Sequence, residues 1–437
     1  MKSNIIKPLL LVAALSLGSH SCQRYLDITP TGKVLPQTEE DFRALLTRAY
    51  QLFPKHKALL NLKSDEVKAG NTSESYKAIF TWDESNAIPG SIEMPYASFY
   101  QVIFNTNYII QNIGKYNSSN QKTNQILGEA YALRAYTYFE LINIYAPAYN
   151  GNNGDELSVP LITEVNLERS FPRVTLDAAY NQILSDIKSS EDLLNESSFP
   201  VGYNYRFTTT ALHAFKARLY QYRGEWNKAL HEANLVLNSN HNLEDFNQFN
   251  VLPNDFKSKE SIMNLELALD YSTNRFSRAS DEHIALYDQV NDLRFSKYFK
   301  KTGNDWQSTK YNSNDFKCSF RVADILLVKA EAEARLGKEA DSKATLLSLA
   351  KNRYNAIGFT QFKTKISSLS GNSYIKELLD ERARELSFEG LRWGDLRRTT
   401  QPKITHIFDG KAYELKAKDI RYTTPFPKDA RLKNPEL

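Results

Sequence analysis

The sequence predicts an all-α protein, a scaffold of helical hairpins resembling tetratricopeptide repeats, with irregular insertions and few short strands. Three observations carry this expectation. Apolar residues recur at steps of three and four through the long segments, as the buried face of a helix requires. Residues 208–223 and 225–237 form two such segments turning at Gly224, and Ala211, Ala214, Ala217, Tyr220, Trp226, Ala229 and Ala233 alternate small and large as in hairpin repeats. Residues 322–336 and 340–354 repeat the plan around Gly337. The spacing between hairpins is irregular, so a single domain with insertions is expected instead of a regular array. A chain of 437 residues, 41% hydrophobic and 24% charged, can bury a large core.

Taken in order, residues 1–21 read as a secretion signal: Lys2 and Lys7 lead an apolar run, Leu9–Leu17, and small residues precede Cys22. That run is shorter than the roughly 18 residues needed to span a bilayer. Cys22 is expected to be the acylated residue of a lipoprotein, although export with a free Cys22 also fits. Its acyl chains, at about 0.8 kcal/mol per methylene, would hold the protein on a membrane. Residues 22–37 form the lipid-anchored tether of a single domain spanning 22–437. Thr38 with Glu39, Glu40 and Asp41 opens a helix that Pro54 ends. Helices follow over 100–113, 125–145 and 175–194, separated by a loop over 146–172. Short strands are expected at 261–267 and 411–415. Near the end, Ile375, Leu378, Leu379, Ala383 and Leu386 mark one face of a helix. Asp380 with Arg384, and Glu389 with Arg392, are spaced to pair on its other side, worth about 0.3 kcal/mol each if exposed.

Four stretches carry a resemblance. They are Glu381-Arg382-Ala383-Arg384-Glu385-Leu386-Ser387-Phe388-Glu389-Gly390-Leu391-Arg392-Trp393-Gly394-Asp395-Leu396-Arg397-Arg398, the block Gly128–Phe139, the lead-in Cys22–Gly32 and the proline-rich close Pro425–Pro435. Together they resemble SusD/RagB-like proteins, the nutrient-binding outer-membrane lipoproteins of Bacteroidetes. The resemblance implies capture of an oligosaccharide or polysaccharide at the outer membrane without catalysis. It also implies delivery to a SusC-like TonB-dependent transporter. Capture of peptides, as RagB-like members do, and a helical-repeat envelope scaffold are the alternatives.

The chemistry legible in the residues agrees with binding. No phosphate loop, G-x-S-x-G, H-E-x-x-H or paired-cysteine zinc motif occurs, so neither a cofactor nor a metal is expected. Histidines 56, 213, 231, 241, 283 and 406 are not at metal-ligand spacing, and no carboxylate pair stands out as a glycosidase dyad. The net charge of +4 falls to +2 without Lys2 and Lys7, which argues against a nucleic-acid partner and leaves an anionic polysaccharide open. Sugar binding needs flat aromatic faces edged by amides, carboxylates and guanidinium groups. Two inter-helix stretches hold that mixture: residues 76–96, with Tyr76, Trp82, Asp83 and Asn86, and residues 271–316, with Tyr271, Arg275 and Trp306. These are the expected ligand contacts, Trp82 and Trp306 stacking on sugar rings. Trp226 and Trp393, inside helical patterns, are expected in the core. The charges of Glu381–Asp395 are expected to lock the last helix onto its neighbours.

Overall fold

Thr38 caps the first helix as its sequence requires: its hydroxyl accepts from the Asp41 amide, and the Asp41 carboxylate accepts from the Thr38 amide. From there the computed structural model, which describes residues 35–166, 170–248, 251–311 and 317–437, runs through long helices that stack in chain order. They are α1 (Glu39–Gln51), α2 (Ala97–Tyr116), α3 (Gln121–Tyr145), α4 (Leu176–Glu191), α5 (Thr209–Tyr222), α6 (Trp226–Ser239), α7 (Val322–Arg335), α8 (Glu339–Ala350), α9 (Ala356–Ser368) and α10 (Gly371–Glu385). Each hairpin partner packs on the next: α2 on α3, α3 on α4, α5 on α6, α6 on α7, and α7 on both α8 and α10. The fold is helical, as the periodicity predicts, and the strands among the described residues form short antiparallel pairs. The secretion signal, Cys22 and most of the tether lie outside the described residues.

The Gly128–Phe139 block sits in α3, whose residues are buried on nearly every side. Its two charges explain themselves. Glu129 receives both guanidinium nitrogens of Arg43 on α1, at 2.9 and 3.0 Å, and Arg134 forks onto Asp186 of α4 at 2.8 and 2.6 Å. Paired, hydrogen-bonded charges of this kind are tolerated in an interior where isolated ones are not.

The expected 146–172 loop contains a strand, Leu157–Pro160, which pairs with Arg173–Thr175. The strand expected at 261–267 is shorter, Ser261–Met263, paired with Phe320–Arg321. Lys411–Leu415 pairs with Ile404–Phe408. The helix His56–Lys63 has no counterpart in the sequence reading because all eight residues are buried, so no polar face marks a helical period.

The motif Glu381–Arg398 is two helices and a turn. The helix α10 stops at Glu385, Phe388 and Gly390 turn the chain in the left-handed region (φ +57° and +74°), and Arg392–Arg398 forms a new helix. Gly390 is required twice over, because a Cβ there would meet Lys57 Cβ at 2.5 Å. The surface pairs expected from spacing do not form. Asp380 binds Lys376, Arg384 binds Glu377 and Glu381, Arg392 binds Asp65, and Glu389 binds Lys310 and Arg321. Asp380 keeps an exposed partner one turn back, Lys376, and Arg384 turns to Glu377 and Glu381 of its own helix, whereas Glu389 and Arg392 face protein and are taken by partners far along the chain.

At the centre is Glu385, fully buried. Arg353 Nε reaches it at 2.9 Å, Arg321 at 2.7 Å and Arg294 at 3.1 Å. Glu260 bridges Arg353 and Arg321 from the other side, and Asp292 and Glu381 complete Arg294. The guanidinium groups hold the Glu385 carboxyl well below its ordinary range despite its burial. A neighbouring set joins Arg382 to Asp324 and Asp395, and Arg398 to Glu331, whose carboxyl is held down at about 2.

Three outcomes follow. E385Q removes one carboxylate charge shared by three buried guanidinium groups and should lose about 3–5 kcal/mol of unfolding free energy in urea, as breaking a buried pair does. The depressed carboxylates contribute stability that is complete above about pH 4.5 and is lost as the pH falls toward 2. Glu66 runs the other way: burial raises its carboxyl to about 8, so its contribution declines as pH rises from about 4.5 through 8. The stability of E66Q relative to the parent should therefore increase between pH 5 and pH 9, read as urea midpoints.

Candidate ligand-binding surfaces

The residues expected to bind ligand divide between core and surface. Trp82 is 1% exposed, held at φ +56°, with its indole N–H donating to the Lys63 carbonyl at 3.0 Å. It begins an aromatic ladder: Trp82 on His406 (4.3 Å between centroids), His406 on Phe80 (4.2 Å), Phe80 on Phe276 (5.3 Å) and Phe276 on Tyr76 (4.9 Å). Neither Trp82 nor Tyr76 offers a ring to solvent, which corrects the expectations that Trp82 stacks on sugar and that Tyr76 contacts ligand. The physical reason is the strand Ile404–Phe408, which brings His406 over Trp82 from more than three hundred residues away. Asp83 and Asn86 are exposed, and the Asn86 amide donates to the Asp83 carboxylate at 2.7 Å.

The second stretch does reach the surface. Asp270 caps a one-turn helix, Tyr271–Phe276, that buries Phe276 and leaves Tyr271 59% exposed and Arg275 exposed one turn later. The Tyr271 ring lies 5.8 Å from that of Tyr311, inclined by 51°. The hairpin Phe299–Ser308 is tied to this helix by Gln307, which donates to the Asn274 carbonyl at 2.8 Å. Trp306 on that hairpin is half-buried, edge-on to Phe295 at 4.7 Å, with Lys301 Nζ 5.4 Å from its ring. Residues 312–316, the Asn/Ser-rich end of the expected loop, lie outside the described residues. Exposed Tyr271 and half-buried Tyr311 thus form an aromatic face, with Arg275 exposed one turn along the same helix, and such residues can cover the apolar side of a pyranose and bond its hydroxyls.

Two sites were not foreseen. A cavity of about 490 Å³ opens beside the Gly224 turn, lined by Tyr149, Trp226, Arg335 and Arg397 among others. Trp393 is in the core as expected, stacked on Tyr422 at 4.8 Å, but Trp226 is half-buried and lines this cavity. The fold also gathers His56, Glu140 and Glu266, with candidate ligand atoms within 4.8 Å of one another. Lys57 Nζ stands 3.6 Å from Glu266 and 3.9 Å from Glu140, so an ammonium already neutralises them and opposes a metal cation there. Residues 84 and 210 positions from His56 leave no spacing signal for either group.

The helical-hairpin scaffold is the fold of SusD superfamily structures. Residues 24–221 match a family described as starch-binding and associating with the outer membrane, and residues 218–435 match the SusD family. The chain belongs to the SusD family. It is 24% identical to SusD-like protein P38 of Formosa agariphila, over 89% of this chain and 90% of that protein, and 22% identical to SusD-like protein P2 of the same organism, over 85% and 87%. Among solved structures, a SusD superfamily protein from Bacteroides fragilis superposes with a TM-score of 0.77 at 22% identity, covering 92% of this chain and 99% of that one. A laminarin-binding SusD-like protein superposes with a TM-score of 0.66 at 18% identity, covering 91% and 98%. Among the described residues, no helix is long and apolar enough to cross a membrane.

Proposed function

We propose that this protein captures an oligosaccharide or polysaccharide at the outer membrane and passes it, without chemistry, to a SusC-like TonB-dependent transporter. Family membership over nearly the whole chain carries this reading, and the laminarin-binding relative of the same fold supports a glycan as ligand. The contact face is Tyr271 with Tyr311 and Arg275, flanked by Trp306 on the adjoining hairpin; Asp83 and Asn86 supply a separate polar edge. Tyr76 and Trp82 hold that face from behind through the ladder to Phe276. Exposure supports the assignment, since a ring sealed in the core cannot gain apolar contact with a sugar. Acyl chains on Cys22 anchor the protein.

Affinity electrophoresis against a polysaccharide panel that includes laminarin tests the face. Retardation by at least one glycan is expected, with Y271A weakening it about tenfold, the effect of losing one stacked ring at ~1.4 kcal/mol. Retardation unchanged in Y271A removes the face, and binding of protein digests in place of glycans replaces the ligand class. For the anchor, C22A should move the protein from the membrane fraction to the soluble fraction of its host; retention of C22A in the membrane would contradict acylation at this residue.

A further inference from the structure

The cavity beside the Gly224 turn has a chemical character unlike the Tyr271 face. Its volume of about 490 Å³ is that of a small-molecule site. Arg223, Arg335, Arg397, Arg398 and Lys418 line it, and no carboxylate does. Behind the lining, Glu225 takes Arg223, Glu331 takes Arg335 and Arg398, and Asp395 takes Arg398 again. Arg397 is different. Its terminal nitrogens donate to the carbonyls of Asn143 and Ala146, no carboxylate pairs with it among the described residues, and its buried Nε–H has no partner.

A guanidinium only 3% exposed with no counter-charge is costly to the fold. Burial without that counter-charge brings its pKa down to about 10. Gln221, also in the lining, spends its amide N–H on Glu331 at 2.8 Å, while its buried carbonyl oxygen has no partner. The lining therefore holds an unmet donor on a cation and an unmet acceptor on an amide. The half-buried indole of Trp226 and the ring of Tyr149, against which Arg223 rests at 4.8 Å, add apolar wall. Lys418 adds an exposed charge.

We propose that this cavity binds the acidic unit of a saccharide, a sugar bearing a carboxylate or a sulfate. The anionic group answers the uncompensated charge of Arg397 and the exposed charge of Lys418, and the sugar's apolar side rests on the aromatic wall. The inference rests on the glycan-capture reading only for the origin of the ligand. None of the lining residues belongs to the Tyr271 face, so the two sites can be separated.

Calorimetric titration of the mature chain with trigalacturonate, a sulfated galactose trisaccharide and neutral maltotriose, at low and raised salt, tests it. At least one of the acidic probes should bind, more weakly at raised salt, and K418E should weaken that binding at least tenfold while Y271A leaves it unchanged. R397Q should abolish it; K418E, at an exposed position, keeps the test valid if R397Q fails to fold. The cavity inference is overturned if neither acidic probe binds, or if binding is indifferent to K418E. If maltotriose or another neutral glycan still binds in a Tyr271-dependent manner in that case, only the cavity inference falls. Acidic binding that depends on Lys418, with no glycan responding to Y271A, would support the cavity and overturn the face.

Discussion

The structure depends on one buried carboxylate and the cations around it. Taking a single ion out of water costs several kcal/mol even after relaxation. Glu385 is buried with three guanidinium groups, each reaching it from a different part of the chain: Arg294 from the short helix Leu293–Tyr298, Arg321 from the N-cap of α7 and Arg353 from the turn just after α8. None of these groups is affordable alone. Their common solution is one geometry, in which α7, α8, α10 and the 292–299 segment meet with all charges satisfied. Glu389 and Lys310 extend the same cluster toward the hairpin Phe299–Ser308, and Arg392 with Asp65 extends it toward the strand Val67–Ala69. The cluster therefore links the repeat scaffold to the elements that carry the exposed face.

This explains why the Glu381–Arg398 run has so specific an order. Its periodicity predicts a helix with its charges opposite the apolar face, local spacing predicts pairs at three and four residues if exposed, and the charges of Glu381–Asp395 are expected to lock the helix onto its neighbours. The fold buries most of those charges: Glu385 and Glu389 take Arg294, Arg321, Arg353 and Lys310, and Arg392 takes Asp65, all from other parts of the chain, while Asp380 and Arg384 keep partners on their own helix. Gly390 and Gly394 follow from the same crowding: a Cβ on Gly394 would lie 2.2 Å from the Tyr222 hydroxyl. The motif identifies and locks the scaffold, and its last residues, Arg397 and Arg398, reach the cavity.

Helices with an amphipathic period were legible to within a few residues, as α1, α5 and α6 show against their expected bounds. Those without one, such as His56–Lys63, were not. The binding residues divide on the same physical line. Tyr271 and Arg275 lie in a polar segment and are exposed, whereas Trp82 lies in an equally polar segment and is sealed by a strand from the far end of the chain. Local composition reports the character of a loop and says nothing of what covers it. The cavity depended on the meeting of a hairpin turn, the Tyr149 loop and the end of the motif, a convergence that no spacing rule encodes. Its one sequence signal was Trp226, whose place in a helical pattern favours the core.

The central claim is that the Glu385 cluster is formed only in the fully folded protein and holds the aromatic face in place. Native-state hydrogen exchange tests it most directly. Amides of residues 381–389 and of the start of α7 should exchange only through global unfolding, with the same free energy and denaturant dependence as the whole chain. Exchange of the 381–389 amides at markedly lower free energy, while α3 and α5 stay protected, would contradict the account.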